Sequence, residues 1–323
     1  MKQKSGFEPA LRSKDQYREL GGVMGKKRSK RLSTQRIRQL REALDELNTR
    51  VDIDARVSAD PIRFPKRFTD QRDQEVVSLF AALLAYGRVS AIGTAVESFL
   101  DRAGDSPAVV AQIDAEAYER TGEVTTRFEG FVYRFTRGAD LTKLWIGVGQ
   151  LLRIHESLSE VMREGLNESD TDLLNGYRHL YERIVEASAG IPAQRGFKHL
   201  LSDPQKGSAL KRVNMWLRWL VRGPDAVDIG IWRDLDASKL VLPLDVHTFR
   251  LSAALGLTTR RSADLKAALE VTAHLRSLCP QDPISYDFAL AHLGISGACR
   301  GYKVREVCAE CPLNELCTLP TGR

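Results

Sequence analysis

The stretch PLDVHTFRLSAALGL, residues 243–257, is the part of the sequence that decides the fold. Asp245 stands directly before VHTFRLSAAL, and Asp is a favoured residue at the N-cap of a helix. We therefore predict that a helix begins immediately after Asp245. The carboxylate is also a candidate catalytic group, and one side chain can serve both roles.

Downstream of this stretch, four of the five cysteines gather near the end of the sequence, with the spacing C-x8-C-x2-C-x5-C: Cys299, Cys308, Cys311 and Cys317. Zinc sites with four thiolates usually contain two close pairs, and this spacing contains one. An iron-sulfur cubane takes one thiolate per iron and suits a compact loop with uneven gaps. The spacing favours a [4Fe-4S] cluster and leaves zinc or unligated thiols open. Cys279 stands apart and is predicted to be a packed, inert thiol.

The composition is that of a soluble globular protein, with 43% hydrophobic and 28% charged residues in 323. The longest apolar run, residues 76–86, is shorter than the roughly 20 residues that a membrane-spanning helix needs. No apolar stretch of secretory type occurs at the N-terminus. We expect a cytoplasmic protein without membrane contact, in which clustered cysteines bind metal more often than they form disulfides.

Basic residues are concentrated near the N-terminus. Eight of them lie between residues 26 and 41 with no acid among them, whereas the net charge of the whole chain is +6. They are Lys26, Lys27, Arg28, Lys30, Arg31, Arg36, Arg38 and Arg41. Such an arm either tracks phosphates, gaining affinity from counterion release, or is a solvated tail. We predict that residues 1–31 form a basic, disordered extension.

The remainder of the sequence predicts an all-α fold. A helical stripe follows Leu32, with Ser33 and Thr34 available as caps, and residues 74–100 predict two helices that break at Gly87. Further helices are predicted over residues 144–164, 172–188, 210–221, 265–279 and 286–292. No convincing alternating strand pattern and no internal repeat are present.

The segment from Asp245 and the cysteine loop after it together resemble the endonuclease III branch of the helix-hairpin-helix DNA glycosylase superfamily. That branch carries a V-D-T-H-x-F-R segment followed by a four-cysteine iron-sulfur loop, and Asp245, His247, Phe249 and Arg250 match the segment. The first cysteine gap is two residues longer than the family's C-x6-C. The resemblance implies a two-lobed helical glycosylase domain over residues 32–298 and a [4Fe-4S] loop over 299–323. The chain as a whole is most similar to uncharacterised bacterial proteins at the edge of this superfamily.

The family's hairpin, L-P-G-V-G-x-K-T-A, is matched only in part by DPQKGSALKRVNMWLRWL, residues 203–220. The resemblance places Gln205 and Gly207 beside a DNA phosphate. The position of the family's nucleophilic lysine falls on Ala209, and Lys206 and Lys211 flank it as candidate nucleophiles. The loop that carries a base-displacing residue in the family aligns with Tyr86, Gly87 and Arg88. The resemblance therefore makes these three residues a second set of candidate DNA contacts.

The resemblance implies a DNA-binding base-excision glycosylase that hydrolyses the N-glycosidic bond of a damaged or mismatched base. Asp245 would stabilise positive charge on the deoxyribose and orient a water, while His247 and Arg250 would contact phosphate. Because the lysine match fails, a monofunctional enzyme is favoured over a lyase. A non-catalytic reader of distorted DNA is the main alternative, and an RNA-directed or redox-sensing protein is a third.

Aromatic and basic residues also alternate in FEGFVYRFTRGADL, residues 128–141: Phe131, Tyr133, Arg134, Phe135 and Arg137. Nucleic-acid surfaces use such a mixture for stacking and phosphate contact. Core aromatics beside solvated arginines would give the same pattern. The sequence leaves both interpretations open.

Overall fold

The chain is mostly helical over the residues that the computed structural model describes, 31–295 and 299–322. The helices are α1 Thr34–Thr49, α2 Ile53–Val57, α3 Gln71–Leu84, α4 Val89–Ala103, α5 Pro107–Thr121, α6 Gly138–Ile154, α7 Leu158–Glu164, α8 Leu174–Ala187, α9 Gly196–Leu200, α10 Lys211–Val221, α11 Val246–Ala254, α12 Leu265–Leu278, α13 Asp287–Ile295 and α14 Arg305–Ala309. The predicted all-α class is confirmed. None of the described helices is long and apolar enough to cross a membrane.

Two predicted helix boundaries, the start of α1 and the break at Gly87, have local causes in the structure. Ser33 caps α1 by accepting a hydrogen bond from the backbone N–H of Arg36 at 3.2 Å. The predicted break at Gly87 separates α3 from α4, and Gly87 has a φ of +108°, a region that favours glycine. A Cβ at Gly87 would also lie 3.0 Å from the Tyr133 hydroxyl oxygen.

The helices pack in two groups around one continuous core. In the first group, α3 is buried along most of its length and packs against α4, α5 and α10, while α6 lies between α5 and α8. In the second group, α1 packs against α12 and α13, and α13 also packs against α11. The N-terminal helix therefore joins the C-terminal helices, and the middle of the chain forms the other group.

A two-stranded hairpin interrupts the helical pattern between α5 and α6. Strand β1, Val132–Tyr133, pairs antiparallel with β2, Thr136–Arg137, and Arg134 turns the chain with a φ of +49°. The sequence shows no alternating pattern here, so this hairpin was not predicted. Strands of two residues are too short to show the alternation by which a strand is read from sequence.

Glu75 is a buried carboxylic acid on α3, with 2% of its surface exposed. Its Oε1 accepts hydrogen bonds from the Ser157 hydroxyl at 2.5 Å, the Leu158 N–H at 3.0 Å and the Trp232 indole N–H at 2.6 Å. These donors join α3 to the start of α7 and to the segment between α10 and α11. Burial raises the pKa of Glu75 to about 7, against the effect of the three donors.

Because of this raised pKa, we expect the free energy of unfolding to fall as the pH rises from 4.5, the ordinary value, to about 7. The folded chain keeps a proton on Glu75 in that window, whereas the unfolded chain releases it. Glu75→Gln should remove this loss and be more stable than the wild type at pH 8 by up to about 3 kcal/mol. Urea unfolding at pH 5 and pH 8 measures both values.

The control for this experiment is Glu182→Gln, since Glu182 is exposed on α8. It should leave the pH dependence of the wild type unchanged. A Glu75→Gln variant that still loses stability between pH 5 and pH 8 as the wild type does would show that another group titrates.

Candidate active-site pocket and cysteine cavity

Asp245 lines a small pocket between α10 and the C-terminal helices. Its volume is about 50 Å³, which is room for a few water molecules. The ionisable side chains on its wall are Asp60, Lys211, Arg218, Asp245, Asp287 and His292. They come from four separate parts of the chain, so the fold alone brings them together.

Asp245 is the N-cap of α11, as its position in the sequence predicts. Its Oδ1 accepts a hydrogen bond from the backbone N–H of Thr248 at 2.8 Å. Its Oδ2 has no hydrogen-bond partner among the described residues. The carboxylate is half-buried and fixed in direction by the cap. It can therefore hold the helix start and still present one oxygen to the pocket.

Of the two candidate lysines, Lys211 lies in the pocket and Lys206 does not. Lys211 is the first residue of α10, is half-buried, and has its Nζ 3.5 Å from the Met215 sulfur. Lys206 is exposed at the end of a short 3-10 turn. Burial raises the pKa values of Asp60 and Asp287, and the charge of Lys211 opposes this rise in both.

A buried arginine, Arg218, lies on the wall of the same pocket. The Arg218 guanidinium donates to Asp287 Oδ2 at 2.6 Å and to Asp228 Oδ2 at 3.1 Å, and all three side chains are at least 95% buried. Asp228 also accepts from Arg222 at 2.7 Å. Asp287 Oδ1 is buried without a partner among the described residues. It retains the capacity to accept a hydrogen bond from a water or a bound molecule.

Sequence reasoning missed four members of this pocket: Asp60, Arg218, Asp287 and His292. Arg218 stands in WLRWL, so an arginine on an apolar helix was the available signal for a buried ion pair. Its partner in the pocket, Asp287, is 69 positions away in sequence, and nothing local marks it. Burial, together with the charges of Arg56, Arg218 and Lys211, lowers the pKa of His292 to about 4. His292 is therefore neutral near pH 7.

The four clustered cysteines line a single cavity with a volume of about 330 Å³ and a mostly apolar wall. Burial raises the pKa of the Cys311 thiol, and the nearby thiols of Cys299, Cys308 and Cys317 contribute to the rise. Over residues 31–295 and 299–322, no group of three or more His, Cys, Asp or Glu side chains could hold a metal ion as placed. Cys279, the fifth cysteine, lies half-buried outside this cavity, at the end of α12.

Two arginines support the cysteine loop, Arg36 in α1 and Arg50 directly after it. Arg36 donates to the carbonyl oxygens of Leu316 at 2.9 Å and Leu255 at 3.0 Å, and Arg50 donates to that of Glu310. Arg36 is one of the eight basic residues near the N-terminus. In the structure its guanidinium has a structural role, because it holds two carbonyl groups. Of the predicted extension, residues 1–31, all but Arg31 lie outside the described residues.

Arg250 faces the cysteine loop, and His247 faces α13. A Cβ at Gly301 would lie 2.5 Å from Arg250 Cζ, and one at Gly294 would lie 2.6 Å from His247 Cβ, so both side chains pack closely against backbone. His247 Nδ1 is 3.5 Å from Arg250 Nη2. Neither residue lines the pocket of Asp245. Their contact with phosphate stays a prediction.

The predicted hairpin forms a short helix, a loop and a helix: α9, residues 201–210, and α10. Gly207 adopts a left-handed conformation with a φ of +73°, is exposed, and would have open space around an added Cβ. Its carbonyl oxygen accepts from the Leu265 N–H at 3.1 Å, which ties the loop to α12. Gln205 is exposed beside it. The loop thus presents backbone to solvent where the resemblance places a phosphate.

The second predicted DNA contact, Tyr86 to Arg88, lies against the β hairpin. The Tyr86 hydroxyl group is 2.8 Å from Thr136 Oγ1 and donates to the Tyr133 carbonyl oxygen at 3.0 Å. The Tyr133 hydroxyl in turn donates to the Tyr86 carbonyl oxygen. Tyr86 is therefore a fixed support for the hairpin, whereas Gly87 and Arg88 are exposed.

The fold and these two sites define a mostly helical protein with a carboxylate and lysine pocket and a separate cavity lined by cysteines. The chain belongs to the family described as a protein of unknown function, DUF2400, whose sequence model matches residues 60–296. The matched region includes every ionisable residue on the wall of the pocket and ends before the first cysteine of the cavity. No curated protein and no solved structure matches the chain significantly.

Proposed function

We propose that this protein is a DNA glycosylase that hydrolyses the bond between a damaged or mismatched base and its deoxyribose. The observation that carries the proposal is the pocket in which Asp245 and Lys211 meet, although 34 positions separate them in the sequence. The resemblance names Asp245 as the catalytic carboxylate and Lys211 as a candidate amine. A helix-hairpin-helix fold with two lobes is part of the same proposal, supported by the two helix groups and the α9 to α10 hairpin.

In the proposed reaction, positive charge develops on the sugar as the bond to the base lengthens. The Asp245 carboxylate stabilises that charge, and its oxygen without a partner orients a water for attack on the sugar carbon. The attacking water gives a proton to Asp245, and the departing base takes one from solvent. Because the nucleophile is water, no Schiff base forms.

Lys211 allows a second version of the proposed reaction, in which an amine is the nucleophile. An amine in the pocket can attack the same sugar carbon and form a Schiff base, which leads to strand cleavage. The cation also attracts a phosphate to the mouth of the pocket. Lys206, being exposed and outside the pocket, is assigned to phosphate contact alone. We favour hydrolysis by water, because the position of the family's nucleophilic lysine falls on Ala209 and not on Lys211.

The cysteines are proposed to hold a [4Fe-4S] cluster. The donor set fits such a group, because four thiols surround one apolar cavity instead of meeting at a point, and a cubane takes one thiolate per iron. When bound, the cluster would give shape to a terminal loop that is too small to form its own core. Arg36 and Arg50 would hold the carbonyl groups of that loop against α1.

The proposal is tested by single-turnover incubation of the full chain, purified without oxygen, with duplexes that each contain one modified or mismatched base. Free base and strand nicks are scored separately. We expect release of base without nicks from at least one duplex. Nicks trapped by borohydride would instead assign Lys211 as a nucleophile.

Two further outcomes bear on the proposal. Tight binding of duplexes without release of any base would contradict it and favour the non-catalytic reader of distorted DNA. Absence of both binding and release would contradict the assignment to DNA. We expect binding in the cytoplasmic salt range that weakens steeply as salt is added.

A further inference from the structure

The β hairpin between α5 and α6 presents an exposed aromatic side chain on a rigid support. Phe135, at the turn, has 60% of its surface exposed, and Val132 on the same hairpin has 65%. Tyr133, by contrast, has 7% exposed and Phe131 has 3%. Of the alternating aromatic residues in this stretch, Phe131 and Tyr133 therefore belong to the core, and the Phe135 ring faces solvent.

Two aromatic side chains contact this ring, Tyr86 and His199, and Tyr133 supports Tyr86. The rings of Tyr86 and Phe135 are nearly parallel, with an interplanar angle of 13° and centroids 6.4 Å apart. The His199 ring packs against Phe135 at 5.1 Å and against Tyr86 at 4.5 Å. Tyr86 and Tyr133 exchange hydrogen bonds between hydroxyl and carbonyl groups. We call Tyr86, Tyr133, Phe135 and His199 the aromatic patch.

The backbone of the turn is fixed as well. A Cβ at Gly196, the first residue of α9, would lie 2.1 Å from the Phe135 carbonyl oxygen, so only glycine allows α9 to approach the turn this closely. Arg137 donates to the Arg134 carbonyl oxygen at 2.7 Å. The backbone of Phe135 is thus held against α9, the helix directly before the loop that contains Gly207.

The exposed charged side chains of the aromatic patch are all basic, and the nearest carboxylate, Asp140, is fully buried. The three segments that form it, residues 85–91, 132–139 and 194–200, contain five basic residues and no Asp or Glu. The five are Arg88, Arg134, Arg137, Arg195 and Lys198, and all except Arg137 are exposed. The His199 ring adds no charge near pH 7, because burial and then the charges of Arg212 and Arg134 lower its pKa.

We propose that Phe135 is a stacking platform for an unpaired nucleobase, with the surrounding arginine and lysine side chains on the adjacent phosphates. A fixed, exposed ring within a cationic surface suits a nucleic-acid strand, because every base has an apolar face and every linkage a negative charge. Stacking requires the base to be out of its pair, so a paired duplex gains little from Phe135. The proposal rests on the proposed function in one respect, namely that the partner is DNA.

The test compares the dissociation constants of the full chain for two duplexes of unmodified bases, one fully paired and one with a single bulged base. We expect the wild type to prefer the bulged duplex. Phe135→Ala should lose about ten-fold in affinity for the bulged duplex and less than two-fold for the paired one. Phe135→Trp should keep the preference, since Trp retains a flat ring.

Val132→Ala is the matched control, because Val132 is equally exposed on the same hairpin but is not aromatic. It should bind both duplexes as the wild type does. A wild type without preference, a Phe135→Ala variant that keeps the preference, or an equal loss in Val132→Ala would each overturn the stacking platform.

The failure of this inference is distinct from failure of the proposed function. Neither duplex contains a substrate base, so the comparison does not depend on catalysis. A chain that releases modified bases but shows no preference for the bulged duplex would overturn the stacking platform alone. A preference abolished by Phe135→Ala, in a chain that releases no base, would overturn the glycosylase alone.

Discussion

Asp245→Asn is expected to lower the rate of base release by about 10²- to 10⁴-fold, the range typical for loss of a positioned acid or base. The amide cannot stabilise positive charge on the sugar, nor accept a proton from the attacking water. It can still accept the hydrogen bond from the Thr248 N–H, since Asn is as good a cap as Asp. The variant should therefore fold normally and bind DNA with unchanged affinity.

Asp264→Asn is the control for the loss of a capping carboxylate. Asp264 is the N-cap of α12 and accepts from the Ala267 N–H at 2.8 Å, the same distance as at Asp245. It lies outside the pocket. Base release should therefore stay at the wild-type rate in Asp264→Asn. Release at the wild-type rate in Asp245→Asn as well would remove the catalytic role and leave the cap as the function of Asp245.

Much of the fold follows from local signals in the sequence. The Ser33 cap, the break at Gly87 and the helix after Asp245 were each predicted from neighbouring residues, because capping and backbone conformation depend on near neighbours. Helix α5 was missed for an equally local reason. Its buried face consists of Pro107, Ala108, Ala111 and Ala115, whereas its large apolar residues Val109 and Ile113 are more than half exposed. A period of small residues gives little hydrophobic contrast.

The pocket could be predicted only in part, because its members meet through long-range packing. The sequence marks Asp245 by its cap position and its resemblance, but it does not choose between Lys206 and Lys211. That choice depends on where the loop at Gly207 ends and α10 begins, which the contact of Gly207 with α12 decides. Asp287 enters through its ion pair with Arg218, 69 positions away.

The cysteine loop leads to the second large expected effect. Cys311→Ser should abolish most of the iron and acid-labile sulfide bound by the chain, because a cubane needs a thiolate on each iron. Cys279→Ser should retain about four of each per chain, as the wild type is expected to do. Cys279 is the matched control, since it is also half-buried but lies outside the cavity.

The same pair of variants separates a cluster from the alternatives that the spacing leaves open. Wild-type chain purified without oxygen and holding zinc in place of iron would contradict the cluster, as would equal iron content in the two variants. Loss of the metal should also expose residues 299–322 to proteolysis, because a terminal loop with one buried apolar residue, Leu313, has little core of its own. Arg36 and Arg50 would then hold carbonyl groups of a loop that no longer keeps its shape. Cleavage should therefore begin within residues 299–322 in Cys311→Ser and not in Cys279→Ser.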